Sequence, residues 1–146
     1  MTSNQLGLIV GGLLPALFYG ISSEFAKSST NAGMSVGGHL FVIGIAISIT
    51  GLLFNFLLPG NIPSLLAVTS SSMQGLFWGL GTGCVVLGLI KYQTPLAKLV
   101  PLYNMNTLVT SGLALIIFAE WRAVNPLQLL IGAGLIIVGG ILVSGA

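Results

Sequence analysis

Five apolar runs, each about as long as the hydrocarbon core of a bilayer is thick, constrain this chain more than anything else in it. They extend from about Leu6 to Ala26, Leu40 to Leu58, Met73 to Ile90, Leu96 to Ala119 and Pro126 to Val143. A crossing α-helix needs about 20 mostly apolar residues, because each residue adds only ~1.5 Å to a span of ~30 Å. The runs are continuous rather than alternating, which argues against a membrane β-barrel. The expected fold is therefore all-α: a polytopic helical membrane protein with five transmembrane helices, read as one domain over residues 1–146. A four-span protein is the runner-up, should one glycine-rich run stay out of the membrane.

Charge supports this reading. Only Glu24, Lys27, Lys91, Lys98, Glu120 and Arg122 are charged, 4% of the 146 residues, where a soluble domain carries roughly 25%. So few ions cannot keep the surface of a 15.0 kDa globule dissolved. Disorder is excluded by a hydrophobic content of 55% and a mean hydropathy of +1.07. The pI near 9.0 reflects four cations against two anions and no basic cluster, so no nucleic-acid partner is expected. A single cysteine, Cys84, excludes an intrachain disulfide and a cysteine-based zinc site. No cofactor or metal is implied, and no Walker loop, HExxH or serine nucleophile elbow occurs.

The boundaries have local causes. Pro59-Gly60-Asn61 and Pro63 stop the second span, and Ser70-Ser71-Ser72 offer caps for the third. Lys91-Tyr92-Gln93 closes the third with a cation and an aromatic suited to the interface. Thr94-Pro95 and Asn125-Pro126 are helix starts with proline in the first turn, and Glu120-Trp121-Arg122 is a wet turn between the last two spans. The first span reads as a permanent helix rather than a cleavable signal, since Met1 to Gln5 holds no Lys or Arg. No lipidation motif is present.

Orientation is weakly coded. The loops after spans one and three hold Lys27 and Lys91, with Lys98 either in the second of these loops or within the membrane, and the loop after span four holds Arg122. The positive-inside rule favours an outside N-terminus by about two charges. So small a margin leaves open one fixed orientation or insertion either way up.

Helices in lipid associate by close backbone packing, for which small residues four apart are the signature. Span one carries Gly12, Ala16 and Gly20 in a row that continues to Glu24. Span three carries Gly75, Gly79 and Gly83, and span five carries Gly140 and Ser144 with Gly132 and Gly139 nearby. These rows are expected to pack inside the bundle, so Glu24 should face protein rather than lipid.

Polar groups at depth are costly and usually face a cavity or a partner. Glu24 and Lys27 stand one turn apart, either as an interfacial ion pair or as a cavity carboxylate beside a cation. Span four is the most polar, with Lys98, Tyr103, Asn104, Asn106, Thr107, Thr110 and Ser111. Asn104, Thr107 and Ser111 share one face at i, i+3, i+7. Pro101 cannot donate to the ladder and should free the Ala97 carbonyl and kink the helix there. A kinked helix with an amide and hydroxyl face suits a solute pathway. Tyr19 could hydrogen-bond a solute, and Trp78 could stack on one or simply pack. His39, opening span two, reads as structural rather than as a proton relay. Glu120 is expected to cap span five or pair with Arg122.

The order of these motifs resembles the drug/metabolite transporter superfamily, EamA-like branch. Phe18-Tyr19-Gly20 followed by Phe25-Ala26-Lys27 is similar to that family's first span. Thr94-Pro95-Leu96-Ala97-Lys98-Leu99-Val100-Pro101-Leu102 leads to Phe118-Ala119-Glu120, then to Gln128-Leu129-Leu130-Ile131-Gly132 and Leu135-Ile136-Ile137-Val138-Gly139-Gly140, and this resembles the end of an EamA domain. Two departures stand beside the likeness. The arginine often found in the second span is missing, and Glu24 lies nearer its helix end than the coupling carboxylate of small multidrug resistance proteins, whose place falls near Tyr19.

Family members commonly carry two five-span domains in inverted orientation. The resemblance therefore implies that this chain is half of an inverted-repeat transporter. Its partner would be a second copy, antiparallel or not, or a homologous subunit, in the inner (plasma) membrane of a bacterium. It also implies alternating-access movement of a small organic solute past Tyr19, Glu24, Lys27, Trp78, Lys98, Tyr103, Asn104, Thr107 and Ser111. A membrane subunit that transports nothing and packs against another protein is the alternative, with the polar face of span four as its glue. An enzyme is not expected, because no catalytic pair at depth is apparent.

Overall fold

A computed structural model describes the backbone of residues 3–145 and the side chains of residues 5–125, 127–143 and 145. Among the described residues every regular element is helical and no strand occurs. The helices gather into two compact units, one up to Gln93 and one from Thr94 on.

In the first unit, α1 (Ser3–Leu8) passes through a π-helical turn, Ile9–Leu13, into α2 (Leu14–Asn31). Pro15 explains the wide turn. In a regular α-helix the residue-15 amide would bond the Gly11 carbonyl, but proline has no amide and its ring crowds that carbonyl. The turn opens instead, and the Leu14 amide reaches back five residues to the Ile9 carbonyl. Gly33, at φ +89°, makes the short turn to α3 (Val36–Leu57). Ser35 caps α3 by accepting from the Gly38 amide at 3.1 Å. The helix stops at Leu57 because Leu58 precedes Pro59 and takes an extended-side backbone (φ −131°, ψ 70°).

Helix α4 (Leu65–Ile90) begins well before Met73. Its cap is Ser64, which accepts from the Ala67 amide at 3.2 Å, and not the Ser70–Ser72 triplet. Ser64 directly follows Pro63 and has the extended ψ of 159° that a cap requires, so the helix is already running when the triplet is reached. Ser72 then donates to the Val68 carbonyl at 2.8 Å, as a helix-interior serine does. The helix closes as expected at Lys91-Tyr92-Gln93. Gln93 takes φ +50°, its Nε2 donates to the Ile90 carbonyl at 2.6 Å, and Lys91 Nζ lies 5.6 Å from the Tyr92 ring centre.

Helix α4 packs against both α2 and α3. Its buried stripe is Gly83, Val86 and Leu89, spaced by three, with Val86 and Leu89 the most completely enclosed side chains. A Cβ on Gly83 would meet Leu40 Cδ1 at 3.4 Å. Of the expected row on this helix only Gly83 is at a contact, while Gly75 and Gly79 have open space beside them. The row on span one departs further. Gly12, Ala16, Gly20 and Glu24 are all exposed, and nothing lies within 4 Å of a Cβ at Gly12 or Gly20. Helix α2 turns a different face to α4, so this row is left on the outside rather than in the bundle.

In the second unit, α5 (Leu96–Tyr103) and α6 (Asn106–Ile117) are two pieces of one apolar stretch. Pro95 is itself the cap residue of α5 and its carbonyl accepts from the Lys98 and Leu99 amides, one position earlier than a first-turn proline. Pro101 sits inside α5, yet the helix gives way one turn later, at Asn104–Met105. There the amides of Met105, Thr107 and Leu108 each reach back three residues, to Leu102, Asn104 and Met105. Asparagine favours backbone that competes with the helix, and Asn104 and Asn106 bracket the break. Proline alone removes one bond and the ladder around it holds.

Ala119, at φ +53°, turns the chain into a 3₁₀ segment, Glu120–Arg122, and α7 (Pro126–Gly145) follows. Asn125, not Glu120, caps α7, its Oδ1 accepting from the Leu127 and Gln128 amides at 3.1 and 3.3 Å. Helix α5 packs on α7. Gly140 is buried where a Cβ would stand 2.9 Å from Met105 Sδ, so the small residue expected at a contact is at one. The side chain of Ser144 lies outside the described ones.

Four helical stretches, Gln5–Asn31, Val36–Leu57, Leu65–Ile90 and Leu96–Ile117, are long and apolar enough to cross a membrane, and Leu127–Val143 is a shorter apolar helix. Their large side chains stand outward, Phe41 at 70% exposure and Phe56 at 83%, where lipid could take them and water would not.

Candidate functional site

Two polar places stand out in this apolar chain, one in each unit. The second unit holds the polar run of span four. Lys98 and Tyr103 are half-buried on α5, Asn104 is exposed in the break, and Thr107 (exposed) and Ser111 (half-buried) follow on α6. The break ties two of them together, because Thr107 Oγ1 donates to the Asn104 carbonyl at 3.0 Å. Short i−3 bonds at the break leave backbone carbonyls and amides without their usual helical partners, and that polarity lies in the middle of an apolar helix.

The first unit holds Tyr19, Glu24 and Lys27 on α2 and Trp78 on α4. Tyr19, Glu24 and Trp78 are exposed and Lys27 is half-buried. Ser23 Oγ donates to the Tyr19 carbonyl at 2.9 Å, and Thr30 Oγ1 to the Lys27 carbonyl at 2.8 Å. Among the described residues no ion pair joins Glu24 to Lys27, or Glu120 to Arg122. No group of three or more His, Cys, Asp or Glu that could hold a metal occurs among them either.

The most enclosed polar side chain in the first unit is His39, only 6% exposed. Its Nδ1 lies 3.1 Å from Ser29 Oγ, and its Nε2 is buried with no partner among the described residues. The pair exists because the turn at Gly33 folds the last helical turn of α2 against the first turns of α3. A buried ring nitrogen without a hydrogen bond costs about 1–3 kcal/mol, so this is an unusual place to leave one. The ring borders a cleft of about 360 Å³ with Phe25, Met34, Val42 and Ile43 as apolar wall and Ser28 and Ser29 as the other polar members. Sequence reasoning assigned His39 a structural role and did not reach Ser29. The glycine between two helices and the Ser35 cap were the signal available, since a tight antiparallel turn brings positions equally far from it together.

No family model, curated protein or solved structure matches this chain.

Proposed function

We propose that this chain is an integral membrane protein that moves a small organic solute by alternating access, working as a pair of five-span units. The observation that carries the proposal is the interrupted fourth span. An apolar helix breaks at Asn104–Met105, with Tyr103, Asn104 and Thr107 at the break and Lys98 and Ser111 within about two turns of it, and such polarity partway along a long apolar stretch supports the reading. Broken helices of this kind are where transporters hold their solutes. The EamA-like order of motifs supports the same reading, with the shorter α7 as the fifth crossing. A single five-span unit has no inverted partner of its own, and the outward row of Gly12, Ala16 and Gly20 is a surface on which another helix can approach closely.

Purified protein in liposomes tests this. Saturable exchange of radiolabelled solutes, drawn from a panel of sugars, amino acids, amines and organic acids, is expected for the wild type. Asn104→Leu and Lys98→Ala should lower it at least tenfold while the protein remains folded and inserted. Absence of flux across the panel, with assembly lost in the same two variants, would assign the polar run to the glue of a non-transporting subunit.

A further inference from the structure

We propose that the cleft beside His39 is a binding site for a small neutral organic molecule bearing a hydrogen-bond-accepting oxygen on an apolar body. This goes beyond the transport reading and stands without it. The argument begins with where protons can go. Ser23, Ser48, Thr50 and Ser72 each donate to a carbonyl four residues back on their own helix. Ser29 does not: its hydroxyl meets the His39 ring instead, at Nδ1. A neutral imidazole has one donor and one acceptor nitrogen. If Nδ1 carried the proton, the Ser29 hydroxyl would accept it and its own hydrogen would be left without an acceptor. The arrangement that leaves no spare hydrogen there has Ser29 donating to Nδ1, which makes Nε2 the N–H. That Nε2 is buried and has no acceptor among the described residues.

An oxygen acceptor is therefore the missing chemistry. An anion is disfavoured, because the cleft wall is Phe25, Met34, Val42 and Ile43 and no cation lines it. The remaining class is a ketone, ester, amide or ether with a hydrocarbon body, and about 360 Å³ is room for a small one. Nε2 itself has no exposed surface, so a ligand in the cleft reaches it only when a wall side chain moves aside, and Met34, an unbranched thioether on the turn between α2 and α3, is the wall residue that can re-pack to uncover it.

The chain has a single histidine, so ¹⁵N-histidine labelling reports on this ring alone. In lipid nanodiscs the free protein should show the Nε2–H tautomer. Cyclohexanone should shift the Nε2 signals saturably, and methylcyclohexane, similar in shape without the oxygen, should not. Ser29→Ala removes the bond that holds the ring and its tautomer, not a bond to the ligand, and should weaken the cyclohexanone response by up to about tenfold through loss of that positioning. An Nδ1–H tautomer, no saturable shift with cyclohexanone, or the same shift with methylcyclohexane would each overturn the proposal. The wild-type comparison decides even if Ser29→Ala does not fold.

Discussion

Gly140 and Gly75 look alike in sequence and differ in what a side chain would meet. A Cβ at Gly140 stands 2.9 Å from Met105 Sδ, whereas one at Gly75 has open space. The atom in the way is the far end of a flexible methionine, so Gly140→Ala should cost under about 1 kcal/mol. Gly140→Leu must displace the thioether altogether and should cost about 1–3 kcal/mol. Gly75→Leu should change stability by no more than about 0.5 kcal/mol. Thermal unfolding in detergent ranks the three, and equal effects would mean that α5 and α7 do not meet at Gly140. The same measurement applies to Ser29→Ala. That change leaves the buried His39 ring with neither nitrogen bonded and should cost about 1–3 kcal/mol. His39→Phe replaces the ring with one that asks for nothing, so the double variant should be little worse than His39→Phe alone.

At the scale of the helix, the two serine sites on α4 separate what could be read in sequence from what could not. Ser64 caps the helix, and Ser71 lies inside it, exposed. Ser64→Ala should cost about 1 kcal/mol and Ser71→Ala close to nothing, since alanine is the better residue within a helix. The reverse order in thermal unfolding would restore the start near Met73. Long apolar runs and their proline stops were legible because hydropathy and the missing proline amide act locally. The helix start was not, because Ser64 and Ser70 are equally good caps and only the backbone after Pro63 chooses between them. The break in span four was legible as a disturbance, from Pro101 and the asparagines, but its place was not. Whether a ladder gives way at the proline or one turn on depends on how the neighbouring bonds share the strain. Which face of a helix is covered was the least legible property. The Gly12-Ala16-Gly20 row and the Gly83 row have the same spacing, and only Gly83 has Leu40 against it. Likewise, periodicity along one helix carried no hint of Ser29 meeting His39, because that contact crosses a turn.

For the whole molecule the deciding quantity is the balance of cations across the membrane. Under the proposed five crossings, Lys27, Lys91 and Lys98, the last near the start of its helix, count on one side against Arg122 on the other, and the loop between α3 and α4 holds no charge. A difference of about two charges biases orientation without securing it. An antiparallel pair needs both orientations, since two copies must meet upside down to supply the inverted repeat. Tags at the N-terminus should then be reachable from both faces of the membrane in the wild type. The variant Lys27→Gln with Asn61→Lys leaves two cations on each side, Lys91 and Lys98 against Asn61→Lys and Arg122. It should raise the fraction of chains with the N-terminus inside, although Lys27 lies near the end of α2 and only Asn61 lies between helices. Gly12→Leu with Gly20→Leu, in contrast, should leave that fraction alone and reduce cross-linked dimer, because the outward row can no longer admit a second backbone at close range. Strictly one-sided labelling in the wild type would remove the antiparallel pair. Unchanged cross-linking in the double-leucine variant would move the contact between copies to another helix.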